Sequence, residues 1–122
     1  LTLEQDQIQS IINGCLQQDR KAQELLYRSF YRALMSLCLR YTKSEDDAME
    51  VLNTGFYKIF KSLHAYKSSK SSLYTWMRTI IINSCLDFIR TQQKSSFHQQ
   101  LDQAAEVHLS PDVFGNIGAA EI

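Results

Sequence analysis

With 122 residues, four glycines and one proline, Pro111, the chain is too short for several domains and too poor in breakers for a hairpin-rich β fold. Three cysteines, Cys15, Cys38 and Cys85, are odd in number and widely spaced, which excludes a disulfide framework and any CxxC metal or redox motif. Thirteen basic and thirteen acidic side chains give a net charge of zero, and no apolar run approaches the roughly 20 residues of a transmembrane helix. No signal peptide opens the chain, so a cytoplasmic protein is expected. At this size folding buries roughly two thirds of the unfolded surface, enough for a core without metal or disulfide.

A first helix is expected over about 3–16, where Ile8, Ile11, Ile12 and Cys15 keep helical spacing and Thr2 can cap, with Gln5 three residues on. Asp19 can cap a second helix over about 20–41. Its stripe is Ala22, Leu25, Leu26, Phe30, Ala33, Leu34, Leu37, Cys38 and Tyr41. Ser44 with Asp47, and Glu45 and Asp46 at the positive end of a helix dipole, open a third helix over about 45–63. Its stripe is Ala48, Val51, Leu52, Gly55, Phe56, Ile59, Phe60 and Leu63, and Gly55 implies close approach of another helix. Residues 64–72 are small, polar and basic without periodicity, and read as a loop whose Ser71 or Ser72 caps the next helix.

A fourth helix is expected over about 73–94, burying Leu73, Trp76, Met77, Ile80, Ile81, Ser84, Cys85, Phe88 and Ile89. Beside that stripe runs a polar one: Thr79, Asn83, Asp87, Arg90 and Lys94. Beyond Lys94 the pattern dissolves, with at most a weak helix over 95–110 carrying Leu101, Ala105 and His108, until Pro111. The fold class is therefore all-α, a compact bundle of about four helices.

The zero net charge hides segregation. Residues 20–43 hold six bases and one acid, 44–56 four acids and no base, and 57–94 seven bases and one acid. Distinct faces for an acidic polymer and for a basic partner explain this, and so do ordinary solvated helix faces. Catalysis has little support. No nucleophile stands beside a His and an acid at a recognisable spacing, there is no phosphate loop, and His64, His98 and His108 are scattered. No cofactor or metal is expected, and the cysteines read as small buried hydrophobes.

Nucleic-acid binding fits better. Tyr57, Phe60, Tyr66, Tyr74 and Trp76 are interleaved with the bases of 57–94, and single-stranded DNA offers π faces and a charged backbone to such a surface. The stretch Tyr66-Lys67-Ser68-Ser69-Lys70-Ser71-Ser72 supplies hydroxyls, two ammonium groups and a ring on a flexible tether, and could hold a flipped base or serve as a plain connector. Asn83 can both donate and accept at a base edge.

Leu73 to Arg90, with Trp76, Met77, Ile80, Asn83, Asp87 and Arg90 in place, resembles the Trp-hydrophobic-x-x-Ile-x-x-Asn-x-x-x-Asp-x-x-Arg signature of extracytoplasmic-function sigma factors of bacterial RNA polymerase. Ala22 to Tyr27 through Tyr31 resembles their Ala-Phe-x-x-Leu-Tyr-x-x-Tyr opening, and Glu45 to Leu52 followed by Phe56 resembles the acidic start of their polymerase-binding helix. The resemblance covers about 8–94, in order, and is to region 2, the promoter-melting domain.

The resemblance implies a non-enzymatic transcription initiation factor domain. The third helix would dock on the clamp helices of the largest subunit of core RNA polymerase, through Asp47, Glu50, Asn53, Thr54, Tyr57 and Lys61. The loop, through Tyr66, Lys67, Ser68, Lys70, Ser71 and Ser72, would capture a flipped base of the −10 promoter element. The fourth helix would read and open that element through Thr79, Asn83, Asp87, Arg90 and Lys94, with Asp87 accepting a hydrogen bond from Arg90 or from a base amine. An anti-sigma factor is an implied partner, and membrane insertion is not.

Three departures bear on these roles. Asn53 and Thr54 stand where the family has Gln and an acid, which implies weaker or differently tuned docking. The loop is rich in Ser and Lys rather than Asp and Pro, so base preference does not transfer. The family's second, helix-turn-helix domain is missing. The expected organisation is thus a region 2 domain over 1–94, an acidic flexible linker over 95–113, and over 114–122 the stub of a region 4-like domain of a longer protein. A helical adaptor that binds only protein is the alternative. An ordinary helix-turn-helix repressor is disfavoured, because the turn before the fourth helix is too long.

Overall fold

The computed structural model describes residues 4–106. Helix α1 spans Gln5–Leu16, α2 Arg20–Tyr41, α3 Glu45–Ser62 and α4 Leu73–Glu106, with a 3-10 turn at Leu63–Ala65. There is no strand among the described residues, and the chain is an all-α helical bundle. It divides into two units, Leu1–Leu86 and Asp87–Ile122, to both of which α4 contributes.

Side chains fix the helix starts. Glu4 and Gln7 form a capping box at α1, where the Glu4 N–H donates to Gln7 Oε1 at 3.0 Å. The helix therefore begins later than the expected residue 3, and Thr2 lies outside the described residues. Asp19 Oδ1 accepts from the Lys21 N–H at 3.1 Å, Ser44 Oγ from the Asp47 N–H at 3.1 Å, and Ser72 Oγ from the Thr75 N–H at 3.1 Å. Of the two candidate caps for α4, Ser72 makes the bond.

Helix α1 closes in a tight reversal. Gln18 takes φ 61°, its N–H donates to the Cys15 carbonyl at 3.0 Å, and the Asp19 N–H donates to the Gly14 carbonyl at 2.9 Å. This is a Schellman motif with glutamine in the left-handed position.

The core of the first unit lies between helices. Ile11, Ile12 and Cys15 of α1 are buried, as are Leu26, Leu34, Leu37 and Cys38 of α2. So are Ala48, Val51, Leu52, Phe56 and Ile59 of α3, with Leu73, Met77, Ile81 and Cys85 of α4. Rings mark the seams: Tyr27 of α2 lies 4.6 Å from Phe56 of α3, and Phe30 of α2 stacks on Tyr74 of α4 at 6.3 Å.

Two glycines permit close approach. A Cβ on Gly14 would lie 2.5 Å from Ala22 Cβ of α2, and one on Gly55 would lie 2.3 Å from Ile81 Cδ1 of α4. The expected stripe of α2 is wider than the buried one. Leu25 is 49% exposed and Ala33 is exposed, because both sit beyond the arc that carries Leu26, Leu34 and Leu37 inward.

The cysteines are all free and buried. Burial, and secondarily Asp19, pushes the Cys15 thiol up to about 11. Burial, and then the neighbouring Cys85 of α4, pushes the Cys38 thiol of α2 up to about 12.

Helix α4 differs most from expectation. It does not end near Lys94 but runs on to Glu106, so 95–106 are helical. No Gly or Pro interrupts this stretch, and Gln, Leu and Ala favour helix. Within the second unit Phe97 and Leu101 are half-buried and Ala104 is buried, a spacing of four and three. His108, Pro111 and the expected stub at 114–122 lie outside the described residues. Among the described residues no helix is long and apolar enough to cross a membrane.

Candidate nucleic-acid and polymerase interfaces

Two surfaces of the first unit carry most of the residues singled out by sequence. The first is the outer face of α3. Ser44 anchors its first turn, and Glu45, Asp46 and Asp47 place carboxylates against the unpaired N–H groups of that turn. Asp47 is half-buried, while Glu50, Asn53, Thr54, Tyr57 and Lys61 are exposed. Tyr57, at 64% exposure, is an aromatic ring held in water, with the Lys61 ammonium 5.4 Å from its centroid. These positions recur at three and four residues, so one helix presents acids at its start and an aromatic–cation pair near its end.

The second surface is the connection between α3 and α4. Part of the expected loop is ordered as the 3-10 turn, where Leu63 is buried and His64 exposed. The Tyr66 hydroxyl donates to the Ser71 carbonyl at 2.8 Å, the Lys70 N–H donates to the Lys67 carbonyl at 3.1 Å, and the Tyr66 ring lies 5.4 Å from that of Trp76. The half-buried Tyr66 thus closes the loop on itself, and burial raises its phenol pKa. Lys67, Ser68, Ser69 and Lys70 are left exposed, while Ser72 is occupied as the helix cap. Trp76 is half-buried, in keeping with packing as its main role.

Beside this loop is a cavity of about 320 Å³. Tyr66, Lys67, Ser68 and Ser69 line it, as do Leu63 and His64. The remaining wall comes from α1, through Gln9, Ile12 and Leu16. Sequence reasoning missed those three, since no periodicity or motif links α1 to a loop more than fifty residues away.

On α4, Thr79 and Asn83 of the first unit are exposed, and the Thr79 hydroxyl donates to the Thr75 carbonyl at 3.1 Å. In the second unit Asp87, Arg90 and Lys94 are exposed and border one cavity of about 680 Å³. The Arg90 guanidinium donates to the Asp87 carboxylate, the first of the two donors that the resemblance implied for Asp87. That pair is more than half exposed and screened, so it orients Arg90 more than it stabilises the fold. No cluster of three or more His, Cys, Asp or Glu with metal-binding geometry occurs among the described residues.

Comparison with known proteins gives the same direction. The Sigma-70 region 2 family matches residues 26–95. The ECF RNA polymerase sigma-E factor of Haemophilus influenzae is 28% identical over 84 residues, 69% of this chain and 43% of that protein. The RNA polymerase sigma-H factor of Pseudomonas aeruginosa is 27% identical over 82 residues, 67% of this chain and 42% of that protein. The RNA polymerase sigma factor SigV of Bacillus subtilis is 27% identical over 67 residues, 55% and 37% of the two chains. This chain therefore spans well under half the length of the relatives it matches. No solved structure gave a significant match. Because the match runs from the second turn of α2 across α3, the loop and the first two thirds of α4, over more than half of the chain, the protein belongs to the Sigma-70 region 2 family.

Proposed function

We propose that this chain is the part of a transcription initiation factor that docks on core RNA polymerase and then recognises and melts the −10 promoter element, in the cytoplasm. Family membership carries the reading. The separation of an acid-led face on α3 from a basic loop supports a division of labour between protein and DNA. In it, Asp47, Glu50, Asn53, Thr54, Tyr57 and Lys61 meet the clamp helices of the largest polymerase subunit. Tyr66, Lys67, Ser68, Lys70, Ser71 and Ser72 hold an unstacked non-template base. Thr79, Asn83, Asp87, Arg90 and Lys94 face DNA from α4.

Melting follows from differential binding. Extruding a base costs a few kcal/mol of lost stacking and pairing, and the loop offsets this only when the base is out of the duplex. Lys67 and Lys70 add phosphate attraction that does not depend on sequence. No bond is made or broken by the chain itself. The proposed partition assigns 1–94 to this body and the following residues to a linker, of which 95–106 are helical. An anti-sigma factor would act by covering either surface.

The test is binding to a purified clamp-helix fragment of the polymerase largest subunit. Micromolar affinity is expected, roughly −8 kcal/mol, and it should be lost in the double variant Asp47→Lys, Glu50→Lys. Asp47→Lys puts a cation in the first turn of α3, so the variant should melt slightly lower, and binding is compared at a temperature where circular dichroism shows both proteins folded. Absence of binding by the wild-type chain would overturn the docking assignment.

A further inference from the structure

We propose that the outward face of α2 docks an acidic amphipathic helix of another protein, its apolar side chains against Leu25 and Leu39 and its carboxylates against Arg28 and Arg32. This face is distinct from α3 and from the loop after it, and the inference stands independently of the roles proposed for them.

The periodicity of α2 assembles the face. At 3.6 residues per turn, Lys21, Leu25, Arg28, Arg32, Leu39 and Arg40 fall within an arc of about 120°, opposite the buried Leu34, Leu37 and Cys38. All six are exposed, Leu25 by 49% and Leu39 by 44%. No acid falls within the arc. Glu24 lies at its edge and pairs with Arg28 at 3.4 Å, a bond so exposed that it is weak, and no ion pair engages Lys21, Arg32 or Arg40 among the described residues. Helix stability does not account for this arrangement. Beyond the capping Asp19, the first turn holds Arg20 and Lys21 and no acid, cations at the end of the helix dipole that disfavours them.

Charge and spacing together select the partner. Four cations without a counter-charge call for an acidic surface. Leu25 and Leu39 are two heptads apart, so a helix laid along α2 meets both with apolar residues at the same interval. Arg28 and Arg32, one turn apart between them, then face carboxylates at four-residue spacing. A DNA backbone would use the arginines and gain nothing from the leucines. A lipid surface needs a continuous apolar face, and α2 buries its own in the core.

The test is a titration of the ¹⁵N-labelled chain with a capped, alanine-rich helical peptide of about 22 residues, long enough to match α2. It carries two leucines two heptads apart and glutamates between them on the same face. A control peptide of the same composition has its glutamates on the opposite face. The first peptide should bind with a Kd on the order of 100 μM at low ionic strength and shift the amides of α2, and the control should bind at least about fivefold more weakly. Arg28→Glu with Arg32→Glu should weaken the first peptide about tenfold, and Leu25→Ser with Leu39→Ser about fivefold, with circular dichroism showing both variants folded. Equal binding of the two peptides, no effect of the leucine changes, or shifts confined to other elements overturns the proposal. So does tighter binding to a DNA duplex or to anionic lipid vesicles that depends on Arg28 and Arg32, which would assign the face to that partner instead.

Discussion

Gly55 is where the sequence and its packing are most tightly coupled. A glycine inside a helix is worth about 1 kcal/mol less than alanine, yet α3 carries it at the point where Ile81 of α4 presses closest. Ile81 is fully buried, so its Cδ1 must shift within the core when a methyl group arrives on Gly55. Overpacking of this kind costs roughly 1–3 kcal/mol, which outweighs the gain in helix propensity. Gly55→Ala is therefore expected to destabilise the chain by about 1 kcal/mol net in urea unfolding. Shortening the opposing side chain should rescue it: Gly55→Ala with Ile81→Val should be more stable than Gly55→Ala alone. A single variant as stable as wild type would mean that Ile81 swings aside freely.

The end of α1 holds a second local conflict. Gln18 has φ 61° in the C′ position, a conformation that strains any residue with a Cβ by roughly 1–2 kcal/mol and suits glycine. Gln18→Gly should raise stability by about 0.5–1 kcal/mol, because the relieved strain exceeds the added freedom of the unfolded chain. A lower melting temperature would show that the glutamine side chain makes up for its backbone.

The elements were legible where one period dominates. Ile11, Ile12 and Cys15, or Val51, Leu52, Phe56 and Ile59, repeat at three and four, and Asp19, Ser44 and Ser72 announce their helices by side-chain chemistry that acts within three residues. The extension of α4 was not legible by period, because Phe97, Leu101 and Ala104 are too few among Gln and Ser to stand out; the missing breakers were the better signal. The candidate site was half legible. Lys67, Lys70 and the serines declare themselves by composition, whereas Gln9 and Ile12 join the cavity only through the packing of α1 against the turn after α3. By sequence Tyr66 reads as a ring on a flexible tether. It instead binds the Ser71 carbonyl and packs on Trp76, because a phenol beside an indole gains more from burial and one hydrogen bond than from remaining in water.

For the molecule as a whole, the thiols set an upper limit in pH. Cys15 and Cys38 titrate near 11 and 12 in the folded chain, above the ordinary value of 9.0, with burial the main cause, and burial raises Cys85 as well. Between pH 9 and about 11 the unfolded chain releases protons that the folded chain retains. Stability contributed by the neutral thiols is thus fully present below pH 9 and declines as pH rises through that window. The melting temperature should fall between about pH 8.5 and 10.5, and replacing Cys15 and Cys38 by alanine should flatten that fall even while lowering stability at about pH 8.5. An equally steep fall in the variant would assign the alkaline transition to other groups. The same burial should keep native Cys38 unreactive toward alkylating reagents at neutral pH, since the thiolate is the reactive form.

One contact described above supplies an optical handle. Trp76 is the only tryptophan in the chain, and its ring lies 5.4 Å from Tyr66 at the base of the loop. All indole emission therefore originates beside the serine- and lysine-rich segment. A nucleobase arriving there, or the loop opening, should change the brightness or colour of that emission through altered quenching and solvent exposure. The protein carries its own dye at the place where occupancy matters, and stopped-flow records of unlabelled chain mixed with polymerase and DNA could time the arrival of a base without chemical modification.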